Sequence, residues 1–166
     1  MGHHGARHLS PLLPRRIIRR DRQGAYQLNL SGDDRDILRQ LAPQFIALLD
    51  DPDQPALRRL FPPAYSDSLD AEHEEEYRRL MQEDLVARHR DELELLARTA
   101  SAERLSEEEL LAWSRALNSL RLVLGTVLDV QEDEERQKPS TPEEALYQWL
   151  TYLLNEAIDA MDRGRA

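Results

Sequence analysis

The stretch from Trp113 to Val130 constrains the chain most. Read at 100° per residue, Trp113, Leu117, Leu120, Leu124, Val127 and Leu128 share one side of a helix. Ala116, Val123 and Val130 widen that arc to roughly 160°, well beyond the ~100° stripe of an ordinary surface helix. A helix so apolar needs neighbours on several sides and belongs near the middle of a core. Beside the arc runs a narrower file, Ser114, Asn118, Arg121 and Gly125, spaced at helical intervals.

The rest of the chain supplies elements to pack around that helix. Met1 to Pro14 reads as a disordered tail, and residues 15–163 read as one domain. In the tail, His3, His4 and His8 read as a floppy segment rather than a metal site. The runs around Ile17-Ile18 and Tyr26-Gln27-Leu28-Asn29-Leu30 flank Gly24, which suggests a small β-hairpin lying on helices. Ser31 is a candidate helix N-cap, followed by Ile37, Leu38, Leu41, Phe45, Leu48 and Leu49 at helical spacing. Pro43 falls inside that pattern and is expected to kink or split the helix. After a proline-rich loop, Asp70 to Arg98 predicts a long charged helix whose apolar stripe is Tyr77, Leu80, Met81, Leu85, Leu93 and Leu96. Ser106 with Glu109 forms a capping box for the central helix. Thr141, Pro142 and Glu144 announce a final helix to about Asp162, after a charged loop containing Glu132-Asp133-Glu134-Glu135. The expected fold is therefore mainly α: a bundle of about four main helices with a small N-terminal β-hairpin packed on it.

Charge narrows the function classes. The net charge is −10, yet residues 1–22 hold six arginines and one aspartate, leaving −15 on the remainder. An acidic body argues against a broad phosphate-binding face, so Arg15, Arg16, Arg19 and Arg20 are the expected contact for nucleic acid or an acidic partner. The absence of cysteine removes disulfides, thiol switches and thiolate metal sites. No secretory signal or membrane-length apolar run is visible, so the expected location is the cytoplasm.

No catalytic motif emerges. There is no Gly-rich phosphate loop, no Gly-x-Ser-x-Gly and no His-Glu-x-x-His. A di-iron site needs Glu-x-x-His on core-facing helices; His73 is preceded by Asp70 and His89 by Val86. The expectation is a non-enzymatic protein without cofactor or metal. Asp84, Arg88, Asn118 and Arg121 are the candidate buried polar network, with Arg121 expected to lock onto Asp84 or Glu83 across helices. Gly125 is expected to let a neighbouring backbone approach closely. The last helix carries an apolar arc of roughly 240°, more than one helix layer needs. It is therefore either wedged between the central helix and the hairpin, or it offers Trp149 and Tyr152 as a homodimer or partner surface.

The run Trp113-Ser-Arg-Ala-Leu-Asn-Ser-Leu-Arg-Leu-Val-Leu-Gly-Thr-Val-Leu resembles the signature of an actinobacterial domain-of-unknown-function family. Tyr147-Gln-Trp-Leu-Thr-Tyr-Leu and Glu76-Tyr-Arg-Arg-Leu-Met-Gln-Glu-Asp-Leu resemble its other motifs, and the likeness runs from about Arg15 to Ala160. Members of that family are often described as oxidative stress regulators acting with a sigma factor. The resemblance implies the fold and a regulatory protein partner. The cysteine pair credited with redox sensing has no counterpart in this chain. The expected function is regulatory or adaptor activity through protein–protein contacts, in transcription under stress. The alternative is direct DNA binding through the arginine-rich arm.

Overall fold

The computed structural model describes residues 16–61, 71–129 and 138–165. The expected tail, Arg15, Val130 and the acidic run Glu132 to Glu135 lie outside the described residues. Strands β1 (Ile18–Arg20) and β2 (Tyr26–Leu28) lead into helix α1 (Gly32–Leu48), and a 3₁₀ turn at Pro55–Leu57 follows. Helix α2 (Ala71–Thr99), strand β3 (Arg104–Leu105), helix α3 (Glu107–Val127) and helix α4 (Pro142–Gly164) complete the order. The expected helical bundle with an N-terminal hairpin is what the chain forms.

The hairpin is made by its turn. Gly24 takes φ +85°, a left-handed backbone that only glycine adopts without strain. The Asp21 carboxylate accepts from the Gln23 and Ala25 amides at 2.9 and 3.1 Å, closing the loop. The antiparallel register pairs Ile18 with Leu28 and Arg20 with Tyr26. This turns Ile18, Tyr26 and Leu28 inward and leaves Arg19 and Gln27 outside; Arg20, opposite Tyr26, is on the inward side but at the exposed end of the strand. A third strand, not expected from the sequence, pairs Leu105 with Tyr26. With two residues, β3 is too short to show alternation.

The helix signals hold. Ser31 caps α1 by accepting from the Asp34 amide, and Thr141 caps α4 by accepting from the Glu144 amide. Both halves of the Ser106–Glu109 capping box form, at 3.1 and 2.9 Å. Pro43 does not split α1, which is continuous through it. The proline costs about 3 kcal/mol in an isolated helix. Here Leu38 and Ala42 are buried and Phe45 and Ile46 pack on the core, and that tertiary packing holds the helix together. Helix α3 ends at Val127, because Asp129 adopts φ +52°. Val127, expected in the core, is 64% exposed.

The core forms around α3 as expected. Trp113, Ala116, Leu117, Leu120 and Val123 are all buried. Helix α2 covers one side, where the Trp113 indole donates to Thr99 Oγ1 at 2.7 Å. Helix α4 covers another and also meets β1, so it is wedged between the central helix and the hairpin. Of the predicted α2 stripe, Leu93 and Leu96 are buried, but Tyr77, Leu80 and Met81 are exposed. The reason is length: at 1.5 Å per residue, α2 spans roughly 43 Å and α1 only about 25 Å. The first turns of α2 run past the helices that could cover them.

Arg35 joins these parts. From half-buried α1, its Nη1 donates to the Ala100 and Ala102 carbonyls at 2.8 and 2.6 Å. Its Nη2 donates to Leu28 O at 3.0 Å and its Nε to Leu30 O at 3.3 Å. One guanidinium thus ties the hairpin exit, the start of α1 and the α2–β3 connection. Arg35→Ala should lower stability by on the order of 2–3 kcal/mol, since four carbonyls lose a charged donor. Arg35→Lys should restore less than half of that, because an ammonium lacks the planar fork. Denaturant unfolding checks both; a lysine variant as stable as the parent would contradict this role.

Candidate site: a basic groove between helices α3 and α4

The polar file predicted on the central helix opens into a groove of about 530 Å³ between α3 and α4. Ser114, Arg115, Asn118 and Arg121 form one wall; Thr151, Leu154, Asn155 and Ile158 form the other. Among the described residues that line it there is no carboxylate, although the protein as a whole carries −10.

Gly125 lies one turn beyond Arg121 on the same file of α3. A Cβ there would lie 2.9 Å from Tyr147 Cε2, so the missing side chain lets the buried Tyr147 ring lie against α3. The approaching group is a tyrosine ring of α4, not the expected backbone. Arg121, one turn back, donates from Nη1 to the Tyr147 hydroxyl at 3.4 Å. Its Nη2 donates to Asn118 Oδ1 at 3.2 Å. These contacts hold the half-buried guanidinium against the groove wall. Arg115 sits on the rim with a side chain 59% exposed, and its Nη1 is 4.0 Å from Glu92 Oε1.

The four residues of the expected polar network are not one network. Asn118 and Arg121 meet in the groove. Asp84 and Arg88 are exposed on α2, so the Arg121–Asp84 lock does not form; Glu83 is exposed as well. The central-helix file faces α4, and sequence spacing on α2 could not reveal that. Arg115, Thr151 and Asn155 were missed for a related reason. They are ordinary helix-surface residues until the α3–α4 pairing places them opposite one another.

The other predicted interaction residues also separate. Trp149 is half-buried against the core, while Tyr152 is 47% exposed. Arg16 and Arg19 are exposed beside Arg163 at a second, smaller cavity of about 240 Å³. Arg20 also lines it, but its Nη1 donates to the Gly164 carbonyl at the C-terminal end of α4. Arg20 therefore caps a helix.

Beyond the Arg115 rim, where α3 faces α2, His89 and Glu92 of α2 meet Ser119. His89 Nδ1 lies 3.3 Å from Ser119 Oγ and 4.0 Å from Glu92 Oε2. A nucleophilic relay needs the hydroxyl and the carboxylate on opposite ring nitrogens. Here both face Nδ1, and Ser119 donates to the Arg115 carbonyl at 3.1 Å. The cluster is an interhelical contact. Among the described residues no group of three His, Asp or Glu could hold a metal ion, and no helix is long and apolar enough to cross a membrane.

Burial, reinforced by the Arg88 charge, holds the His89 pKa below its usual 6.5. Burial raises Glu92 above its usual 4.5, against the opposing charges of Arg115 and Arg88. A histidine with a depressed folded pKa binds its proton more readily when unfolded, so its stabilising contribution is lost as pH falls below 6.5. Glu92 acts oppositely, with stability gained as pH falls through its raised folded value toward 4.5. Replacing His89 with Gln should remove the first effect. Between about pH 7.5 and about pH 5.5, the melting temperature should fall more steeply for the parent than for His89→Gln. Parallel curves would contradict the burial of a neutral His89.

A family model described as a domain of unknown function, DUF2017, matches residues 15–161, and the chain belongs to that family. No curated protein and no solved structure matches the chain. A family of that description assigns no activity, so function has to be argued from the surfaces described above.

Proposed function

We propose that the protein is a non-enzymatic regulatory or adaptor module that works by binding another protein across the α3–α4 groove. The observation that carries this reading is the groove's lining. Two arginines, two asparagines, a serine and a threonine converge beside Leu154 and Ile158 on rigid helices. Such a mixture of donors around apolar contacts suits recognition of a polar partner surface. The motif likeness extends the proposal to transcription regulation under stress in the cytoplasm, with a sigma factor or another part of the transcription machinery as partner. The thiol switch credited to that family cannot be carried over to any residue here, since the chain has no cysteine.

A second reading has its own support. Arg163 of α4 lies with Arg16 and Arg19 around one cavity, a compact cationic end on an acidic molecule. Such an end is suited to phosphate contacts, and direct DNA binding through it is the alternative.

Affinity purification from the native host separates the two, using the parent, Asn155→Asp in the groove, and Arg16→Ser with Arg19→Ser. The protein-contact reading expects a partner retained by the parent and by the arginine variant but lost with Asn155→Asp. Retention patterns identical for all three would contradict it. The DNA reading expects gel shifts whose log–log salt slope is about −3, for roughly three phosphates neutralised. It also expects them to vanish in the arginine variant.

A further inference from the structure

We propose that the cleft between β1 and the last turn of α4 binds one phosphoryl dianion, carried by a small molecule or by a nucleic-acid chain. The site is separate from the α3–α4 groove and independent of the protein-contact reading; it specifies the chemistry on which the DNA reading draws. Local structure places its side chains. Alternation along β1 turns Ile18 and Arg20 to one side, and β1 meets α4. Gly164 allows that meeting, since a Cβ there would lie 2.8 Å from Arg20 Cδ and 3.1 Å from the Tyr26 hydroxyl. The Arg20 stem therefore lies across the end of α4, and its Nη1 donates to the Gly164 carbonyl. Arg163 comes from the last turn of the same helix, and Arg16 and Arg19 flank buried Ile18 in the chain. The cleft these four arginines border measures about 240 Å³, space for one tetrahedral phosphoryl group and far too small for a duplex.

Charge then selects the ligand. The C-terminal end of a helix carries roughly half a negative charge, which one cation answers. Arg20 supplies that cation. Arg16, Arg19 and Arg163 are surplus, and among the described residues their guanidiniums make no hydrogen bond or ion pair. Nor does any carboxylate line the cleft among those residues. Three cations without partners, held beside a fourth by strand and helix, repel one another in a molecule that is otherwise acidic. An anion seated between them relieves that repulsion. A carboxylate brings one charge and two oxygens, whereas a phosphoryl dianion brings two charges and three oxygens for several forks at once. All four basic groups are arginines, whose planar forks match phosphate geometry bidentately.

Calorimetric titration of the intact protein at about pH 8 and constant ionic strength tests this, with inorganic phosphate as the probe and acetate as the control. Phosphate should bind saturably and raise the melting temperature, and acetate should do neither. Arg16→Ser and Arg163→Gln should each weaken phosphate binding about tenfold, for the loss of one charged donor. Without phosphate both variants should melt no lower than the parent, because a repelling charge has been removed. Asn155→Asp, in the α3–α4 groove, should bind phosphate as the parent does. No saturable binding, an equal response to acetate, affinity unchanged by both arginine variants, or affinity lost with Asn155→Asp would each overturn the proposal. Arginine variants melting well below the parent would do so too, making those guanidiniums structural. A nucleoside monophosphate and a short duplex, each titrated against bound phosphate, then identify the carrier. Displacement by the monophosphate alone places the phosphoryl group on a small molecule and removes the DNA reading. Displacement by the duplex, with a log–log salt slope of about −0.9 for one phosphate, places it on a nucleic-acid chain. A slope of about −3 without displacement of phosphate would overturn the cleft as a site and leave the DNA reading standing.

Discussion

Burial of α3 is the constraint on which the rest of the structure depends. The helix presents Trp113, Ala116, Leu117, Leu120 and Val123 to neighbours in different directions, and all are buried. Each large side chain among them contributes roughly 1.5–3 kcal/mol when removed from water, so leaving one side open would be costly. Helix α2 answers with Thr99 and His89, α4 with Tyr147, and the 3₁₀ turn with Leu57. Once those neighbours are in place, one polar file of α3 still reaches solvent, and it does so between α3 and α4. The groove is a consequence of how the core closes.

Arginine is used for two different purposes on this molecule. Arg35 and Arg20 direct their forks at backbone carbonyls, four for Arg35 and one at the end of α4 for Arg20. These stabilise chain junctions, where carbonyls would otherwise need water. Arg115 and Arg121 line the groove, and Arg16, Arg19 and Arg163 line the cavity near the sheet. An overall charge of −10 conceals both basic patches. Counting arginines in the N-terminal arm treats Arg20 like Arg19, although only Arg19 is left for a partner.

Signals confined to one element were legible in the sequence. The caps at Ser31, Ser106 and Thr141, the turn at Gly24 and the apolar arc of α3 from Trp113 to Val123 depend on residues a few positions apart, and all form. Part of one groove wall was legible for the same reason: Ser114, Asn118 and Arg121 lie on one helical file. What depends on pairing between distant segments was not. Pro43 stays helical because of what Leu38 and Ala42 pack against, and β3 exists only as a partner for β2. Tyr77, Leu80 and Met81 look like a core stripe until the lengths of α1 and α2 are compared. Asp84 and Glu83 failed as partners of Arg121 because periodicity gives faces of a helix but not which neighbour each face meets.

Native-state hydrogen exchange tests the central claim, that α3 is the axis around which the other elements close. Amides from Trp113 to Val123 should exchange only through global unfolding and rank among the slowest in the molecule. Amides from Tyr77 to Asp84, on the exposed turns of α2, should exchange through local opening and be faster by orders of magnitude. Protection on α3 no greater than on those turns of α2 would contradict the account.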